Sequence, residues 1–146
     1  MITVERLTIY SAQDAADIGK LLPALSTRFT DDPIDEQLLR EIIDSPHHEQ
    51  IVAREDGRIV GTATLTITIG TGAGRKAYLE DFVVGSDTQG KGVGSAIWSE
   101  IIKWCSEHSV SLFFTSNAKK QAAHKFYLSH GATVRDTTVF QWKSEK

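Results

Sequence analysis

The chain has 146 residues, of which 40% are hydrophobic and 24% are charged, as is usual for one globular domain. Its net charge of −3 argues against a general nucleic-acid binder, and no apolar run reaches the roughly 20 residues of a membrane span. The first residues carry charges and lack the apolar core of a signal peptide, so we expect a cytoplasmic protein with a single domain over residues 1–146.

The first third of the chain carries one strand pattern and two helix patterns. Thr3–Tyr10 alternates polar and apolar residues, which predicts a strand. Asp14–Leu25 has apolar residues at helical spacing, which predicts a helix. Asp32 before Pro33 is typical of a helix N-cap followed by proline at the first helical position, so we expect a second helix that runs to about Asp44.

Three strands are predicted next. Gln50–Arg54 and Arg58–Ile69 alternate and are separated by Asp56-Gly57, a pair that favours a tight hairpin turn. After a loop over Gly70–Arg75, the segment Lys76–Val84 (KAYLEDFVV) has apolar residues on both faces. This pattern is typical of a central strand that is covered on both sides.

The last part of the chain continues the alternation of helix and strand. Helices are predicted over Val93–Glu107, which has a stripe of apolar residues, and over Lys119–His130, which is followed by a glycine. Ser111–Thr115 reads as a short buried strand between them. Thr133–Lys143 alternates again and is expected to complete the sheet.

The predicted order is therefore β-α-α-β-β-β-α-β-α-β. It indicates a mixed α/β (α+β) fold in which helices flank a central mixed, mostly antiparallel sheet. Cys105, the single cysteine, lies in the third helix pattern and is expected to be a buried structural thiol. The five histidines lack the spacing of metal ligands, so no metal is expected.

The strongest local signal is the glycine-rich segment 89–95 (QGKGVGS), which follows the predicted central strand and opens a helix. Glycines let the backbone approach a ligand closely, and the free N–H groups of a first helical turn point outward. Such a turn favours a phosphate group, and Lys91 adds positive charge.

Two other phosphate-binding loops fit this segment less well. The dinucleotide pattern G-x-G-x-x-G needs glycine where the chain has Ser95, and no acidic residue follows in Ser109–Ser116 to bind a ribose. The P-loop pattern matches from Gly85 through Lys91 but has Gly92 where a hydroxyl must bind Mg²⁺. A nucleotide-binding protein of either type is the less favoured alternative.

A third pattern, Q/R-x-x-G-x-G/A, is filled completely by Gln89, Gly92 and Gly94. With it the chain resembles the GCN5-related N-acetyltransferase (GNAT) family, which holds the CoA pyrophosphate on this loop. The segment YLEDFVV resembles the central strand of that family, and AHKFYLSHGA resembles its last helix. These motifs cover Tyr78–Ala132, and the element order extends the resemblance to nearly the whole chain.

The resemblance implies a transferase that moves an acetyl group from acetyl-CoA to a primary amine of a small molecule or peptide, by direct attack in a ternary complex. A non-catalytic domain that binds acyl-CoA as a sensor is the alternative. The residues implied to bind coenzyme A are Phe82, Val83 and Val84 for the pantetheine arm, Gln89, Gly90, Lys91, Gly92, Val93, Gly94 and Ser95 for the pyrophosphate, and Asn117 and Lys120.

Two catalytic residues follow from the same resemblance. Tyr127 is implied to protonate the leaving thiolate, and Glu80 is our candidate for the general base because an ammonium with a pKa of about 10.4 must lose a proton before it attacks. Asp81 or a water chain could take that role instead. Simple alternation places Glu80, Phe82 and Val84 on one face and Asp81 and Val83 on the other, unless a bulge interrupts the strand.

The acceptor side is expected at the first two helices and the loop that joins them. This stretch carries Asp31, Asp32, Asp35 and Glu36, which suits a cationic amine as acceptor. Because relatives in this family often form dimers, Thr133–Lys143 is a candidate interface of a homodimer.

Overall fold

The computed structural model describes residues 1–145, and they divide into two compact units, one over residues 1–114 and one from Thr115 onward. The first unit holds a five-stranded sheet with helices on both faces. The second unit holds one helix and the C-terminal segment. The predicted mixed α/β fold is confirmed.

The strands of the sheet lie in the same order as in the sequence. Neighbouring strands are antiparallel except β4 and β5, which are parallel. The strands are β1 (Ile2–Arg6), β2 (His48–Glu55), β3 (Arg58–Gly70), β4 (Gly74–Val84) and β5 (Leu112–Phe113).

Residues 1–145 contain four α-helices and two short 3₁₀ turns. The helices are α1 (Ala12–Leu21), α2 (Glu36–Asp44), α3 (Val93–Glu107) and α4 (Gln121–Ser129), and the 3₁₀ turns are Leu22–Ala24 and Ser86–Thr88. Over residues 1–145, no helix combines the length and the apolarity that crossing a membrane requires.

The hairpin between β2 and β3 forms as its turn residues predict. Asp56 has φ of 52° and Gly57 has φ of 80°, so both central residues are left-handed. Two left-handed residues make the type I′ turn, whose twist matches that of the flanking strands. The hairpin prediction is confirmed.

The two faces of the sheet bury different helices. On one face, Ile18 of α1 packs with Val52 and Ile59 of the sheet. On the other face, α3 lies close enough to the sheet that a Cβ on Gly61 of β3 would be 2.8 Å from the Cδ1 atom of Ile97. We call these the α1 face and the α3 face.

Cys105 is buried in α3, as expected of a structural thiol. Burial raises its pKa to about 11, which keeps the thiol protonated and unreactive at neutral pH.

Buried acids of α1 fix this helix to the hairpin. The carboxylate of Asp14 accepts two hydrogen bonds from Arg54, at 2.8 and 2.9 Å. The carboxylate of Asp17 accepts hydrogen bonds from the Arg58 side chain and, at 3.1 Å, from the backbone N–H of Ile59. Hydrogen bonding from Arg58 holds the pKa of Asp17 below its ordinary value.

The predicted start of α2 is wrong by three residues. The N-cap is Asp35, whose carboxylate accepts from the N–H of Leu38 at 3.0 Å, and not Asp32. The reason is tertiary, because residues 32–34 pack against α1. There the N–H of Ile34 donates to the carbonyl of Ala15 at 3.0 Å.

The predicted final strand is absent. No strand follows α4 in the described part of the chain, and Val134, Val139, Phe140 and Trp142 are exposed. Alternation along Thr133–Lys143 is not sufficient for a strand, because its backbone N–H and C=O groups also need a neighbouring strand as partner.

Candidate functional site

The glycine-rich loop before α3 adopts a backbone that only glycine adopts readily. Gly90 and Gly92 have φ of 85° and 79°, and a Cβ at either position would meet no other atom. Gly92 is the N-cap of α3 and provides no side-chain cap, so the 15-residue helix begins with its N–H groups directed at the loop. This arrangement fits an anionic group such as a diphosphate.

The positive charge of this loop is paired within the protein. The ammonium of Lys91 lies 3.2 Å from the carboxylate of Glu55, at the end of β2. A phosphate group at the loop must therefore share Lys91 with Glu55 or replace Glu55 as its partner. Val93, in the first turn of α3, is buried and anchors the helix, whereas Gln89 and Ser95 are exposed.

Strand β4 extends well beyond the end of its neighbour β5. In the described residues, the parallel ladder consists of Ala77 with Leu112 and Tyr78 with Phe113. On its other edge, β4 stays paired with β3 as far as Val84. An extended ligand can add to a strand in such a position through main-chain hydrogen bonds.

A β-bulge in β4 changes which side chains share a face. Glu80 lies opposite Thr64 and Val83 lies opposite Thr62, so Asp81 and Phe82 together face one residue of β3. The bulge brings Val83 onto the face of Glu80, which is the α1 face. The expectation from simple alternation, with Val83 opposite to Glu80, is therefore wrong.

The two acidic candidates, Glu80 and Asp81, differ in backbone conformation and in surroundings. Asp81 adopts φ of 52°, a left-handed conformation that aspartate tolerates better than most residues. Burial raises the pKa of Asp81, and the positive charge of Arg28, in the loop between α1 and α2, opposes this shift. Glu80 is exposed and lies on the α1 face.

The α1 face also carries polar side chains that the sequence analysis does not single out. Gln50, Thr62 and Thr64 form a hydrogen-bonded row across β2 and β3, and Thr64 lies opposite Glu80. A signal for them exists in the segment GTATLTIT, where threonine alternates with apolar residues along an otherwise buried strand.

The acidic stretch at the start of α2 is partly engaged in local structure. Asp35 caps α2, Glu36 lies 2.8 Å from the guanidinium of Arg40, and Asp32 accepts from the hydroxyl of Thr30 at 2.9 Å. Asp31, Asp32, Asp35 and Glu36 are all exposed, so their negative charge remains available to a cation in solution.

In the second unit, α4 carries the predicted acid Tyr127. The phenol is half-buried beside Phe126, and burial raises its pKa, so it is a proton donor at neutral pH. The helix ends as predicted at Gly131, which has φ of 95°. The N–H of Ala132 donates to the carbonyl of Tyr127 at 3.0 Å, which closes a Schellman cap.

Asn117 and Lys120 lie just before α4. The amide oxygen of Asn117 accepts from the N–H of Lys119 at 2.9 Å, so this side chain shapes the turn that leads into the helix. Lys120 is the N-cap residue and is exposed.

In residues 1–145, no three His, Cys, Asp or Glu side chains cluster in a way that could hold a metal ion.

Comparison with known proteins adds family and fold information. The sequence profile of the Acetyltransferase (GNAT) family matches residues 19–132. No curated protein sequence is significantly similar to the chain.

Several solved structures share the fold at low sequence identity. A transcriptional regulator from Bacillus halodurans C-125 has 21% identity and a TM-score of 0.85, over 98% of this chain and 100% of that chain. An aminoglycoside acetyltransferase, meta-AAC0020, from an uncultured soil metagenomic sample has 20% identity and a TM-score of 0.84, over 99% and 97%. A ribosomal-protein-alanine N-acetyltransferase from Brucella melitensis biovar Abortus 2308 has 19% identity and a TM-score of 0.74, over 99% of both chains.

Proposed function

The chain belongs to the GNAT family of acetyltransferases, and from this premise we propose that it transfers the acetyl group of acetyl-CoA to a primary amine of a small molecule or peptide. The amine attacks the thioester carbonyl carbon directly, the C–S bond breaks, and no acyl-enzyme forms. The matched region 19–132 runs through both compact units, which supports a single functional domain over residues 1–146.

The observation that carries this proposal is the loop before α3. Two left-handed glycines, Gly90 and Gly92, precede a helix whose N-cap residue provides no side-chain cap. Residues 89–95 would hold the pyrophosphate through backbone N–H groups. The strand edge of Phe82, Val83 and Val84, beyond the β4–β5 ladder, would pair with the pantetheine arm.

Glu80 is the base in this proposal. It is exposed, so it can pass a proton to water, and it lies opposite Thr64 on the α1 face. Asp81 is the less favoured base, because it lies in the bulge and not opposite Thr64. A general base contributes roughly 10² to 10⁴ in rate when it takes the amine proton during attack.

Tyr127 is the acid. Thiolate leaves from the tetrahedral intermediate and needs a proton, and a phenol with a raised pKa holds that proton throughout the neutral range. Because burial raises the pKa of Tyr127, the phenol stays protonated at neutral pH, which supports a role as proton donor rather than as base.

The acceptor is proposed to be cationic. Four exposed carboxylates lie on the stretch that leads into α2 and on the first residue of that helix, and they attract an ammonium-bearing molecule. Among proteins of the same fold, one is described as an aminoglycoside acetyltransferase in complex with sisomicin and one as a ribosomal-protein-alanine N-acetyltransferase. The test panel therefore includes a polyamine, sisomicin and a peptide with a free α-amine.

The first experiment compares thermal unfolding with acetyl-CoA, CoA, ATP and NAD. A ligand at about 100 times its Kd stabilises the protein by roughly 2.7 kcal/mol, so a rise in Tm with acetyl-CoA and CoA alone is expected. A larger rise with ATP or NAD would reject the proposal. Release of CoA in the presence of the amine panel then separates an enzyme from a sensor that binds acetyl-CoA without turnover.

A further inference from the structure

The polar row on the α1 face has hydrogen bonds of one fixed direction. The hydroxyl of Thr62 donates to the backbone carbonyl of Ile51 at 2.8 Å. The amide N–H of Gln50 donates to the oxygen of Thr62 at 2.7 Å, and the hydroxyl of Thr64 donates to the amide oxygen of Gln50 at 2.8 Å. Because a carbonyl can only accept, each proton in the row must point toward Ile51.

Because Gln50 and Thr62 are buried, water cannot reverse the direction of these hydrogen bonds. Gln50 is 3% exposed and Thr62 is fully buried, so reversal of the row would leave buried groups without partners. The proton of Thr64 is therefore committed to Gln50. The remaining lone pairs of its oxygen can accept a hydrogen bond, and the row ends in an acceptor.

This acceptor lies next to the proposed base. Thr64 and Glu80 are directly opposite each other on the antiparallel strands β3 and β4 and share the α1 face. Side chains in such positions have Cβ atoms about 4.5–5.5 Å apart. The carboxylate of Glu80 thus lies beside the hydroxyl oxygen of Thr64, which can only accept. Thr64 has no proton left to donate to this carboxylate.

We propose that Thr64 is a second acceptor for the attacking amine and that it makes the enzyme selective for primary over secondary amines. This inference rests on the proposed function. A neutral primary amine has two N–H bonds and one lone pair. If Glu80 and Thr64 each accept one N–H, the lone pair is left to attack the thioester carbonyl.

The bond changes balance in this arrangement. The ammonium first loses one proton to solvent. The N–C bond then forms, the C–S bond breaks, one proton of the attacking nitrogen moves to Glu80 and the thiolate takes its proton from Tyr127. A secondary amine has one N–H when neutral, so it can bind only Glu80 and leaves Thr64 without a donor. Sites built to bind an N–H or O–H reject analogues that lack it.

Gln50 is a positioning residue in this scheme. It touches no substrate, but it receives the proton of Thr64 and so keeps that proton away from Glu80. Without Gln50, the hydroxyl of Thr64 is free to donate to the carboxylate and to fill the place of the amine N–H.

The test uses 1,4-diaminobutane and N,N′-dimethyl-1,4-diaminobutane, in which both nitrogens are secondary. Initial rates of CoA release give kcat/KM for each amine with wild type and with Thr64→Val, which keeps the side-chain shape. We expect Thr64→Val to lower kcat/KM about tenfold for the primary diamine and to leave the dimethyl compound nearly unchanged, because one hydrogen bond is lost for the primary amine only.

Three further variants complete the test. Thr64→Ser should restore the preference for the primary amine. Gln50→Met should reduce that preference although Gln50 does not contact the amine. Thr68→Val, on the same face of β3 but about 13 Å from Thr64, should leave the preference at the wild-type value.

Equal losses of kcat/KM for both amines in Thr64→Val would indicate a packing role and would overturn the inference. A preference for the primary amine that stays at the wild-type value would overturn it as well. Failure of the proposed function has a different signature. In that case acetyl-CoA does not raise the Tm of the wild-type protein, and neither amine releases CoA.

Discussion

Gly19 in α1 lies directly beneath the backbone carbonyl of Asp32. A Cβ on Gly19 would be 2.0 Å from that oxygen, which is far inside contact distance. We therefore expect Gly19→Ala to displace residues 32–34 and to lower the free energy of unfolding by about 1–3 kcal/mol, as overpacked sites do. Urea unfolding at pH 7 measures this change.

Lys20→Ala is the matched control for that variant. Lys20 is the next residue of α1 and is exposed, so its removal should change the free energy of unfolding by less than about 0.5 kcal/mol. A Gly19→Ala protein as stable as Lys20→Ala would show that Asp32 can move away from α1 at little cost.

Asp17 should give the protein part of its acid sensitivity. Its pKa is lowered in the folded state from an ordinary value of 3.8, mainly by hydrogen bonding from Arg58. The unfolded chain therefore binds the proton more readily, so the stabilisation is complete above about pH 3.8 and is lost as the pH falls through the folded-state pKa.

Asp17→Asn tests this expectation. The variant should be less stable than wild type by about 1–3 kcal/mol at pH 7, because the amide has no charge and only one acceptor oxygen, so the two hydrogen bonds from Arg58 and the one from Ile59 cannot all be kept. The difference should shrink in urea titrations at pH 3. A difference that stays constant between pH 7 and pH 3 would contradict the role of the carboxylate charge.

The left-handed glycine at the start of α3 offers a test of the ligand loop. Gly92→Ala adds a Cβ in open space, so any cost comes from the positive φ and is about 1–2 kcal/mol. We expect a smaller rise in Tm with acetyl-CoA than in wild type, because the loop must change its backbone. Gly72→Ala, also in open space but without a positive φ, should retain the full rise.

Removal of the Tyr127 hydroxyl should slow the chemical step alone. Tyr127→Phe is expected to lower kcat about 10²-fold and to leave the Tm rise with acetyl-CoA unchanged. Since burial raises the pKa of Tyr127, wild-type kcat should fall only above about pH 10, and the variant should lack that fall. Tyr10→Phe, at a tyrosine that packs under Arg40, is the control and should keep wild-type kcat.

Local patterns predict most of the elements, and their failures have a common cause. The hairpin at Asp56-Gly57 and the cap at Gly131 depend on a few neighbouring residues, and both form as expected. The cap of α2 depends on how residues 32–34 cross α1, and a strand over Thr133–Lys143 depends on a partner strand. Both of these involve residues distant in sequence, so periodicity does not predict them.

The candidate site shows the same limit. The glycine-rich loop is visible as a motif, because ligand approach requires glycine at defined positions. The pairing of Glu80 with Thr64 continues the register that the turn between β3 and β4 sets, and the bulge at Asp81 shifts only the positions beyond it, so that Val83 lies opposite Thr62. The sequence places neither the turn nor the bulge to the residue, and hence it does not identify Thr64.

The order of the Gln50 row also decides where protons can travel. A chain of hydroxyls conducts a proton when each member accepts on one side and releases on the other. An amide between two hydroxyls interrupts this conduction, because it would have to become its imidic tautomer, and the carbonyl of Ile51 blocks the far end. The interior of the sheet therefore does not conduct protons, and in the proposed mechanism the proton that Glu80 takes from the amine leaves directly into bulk water.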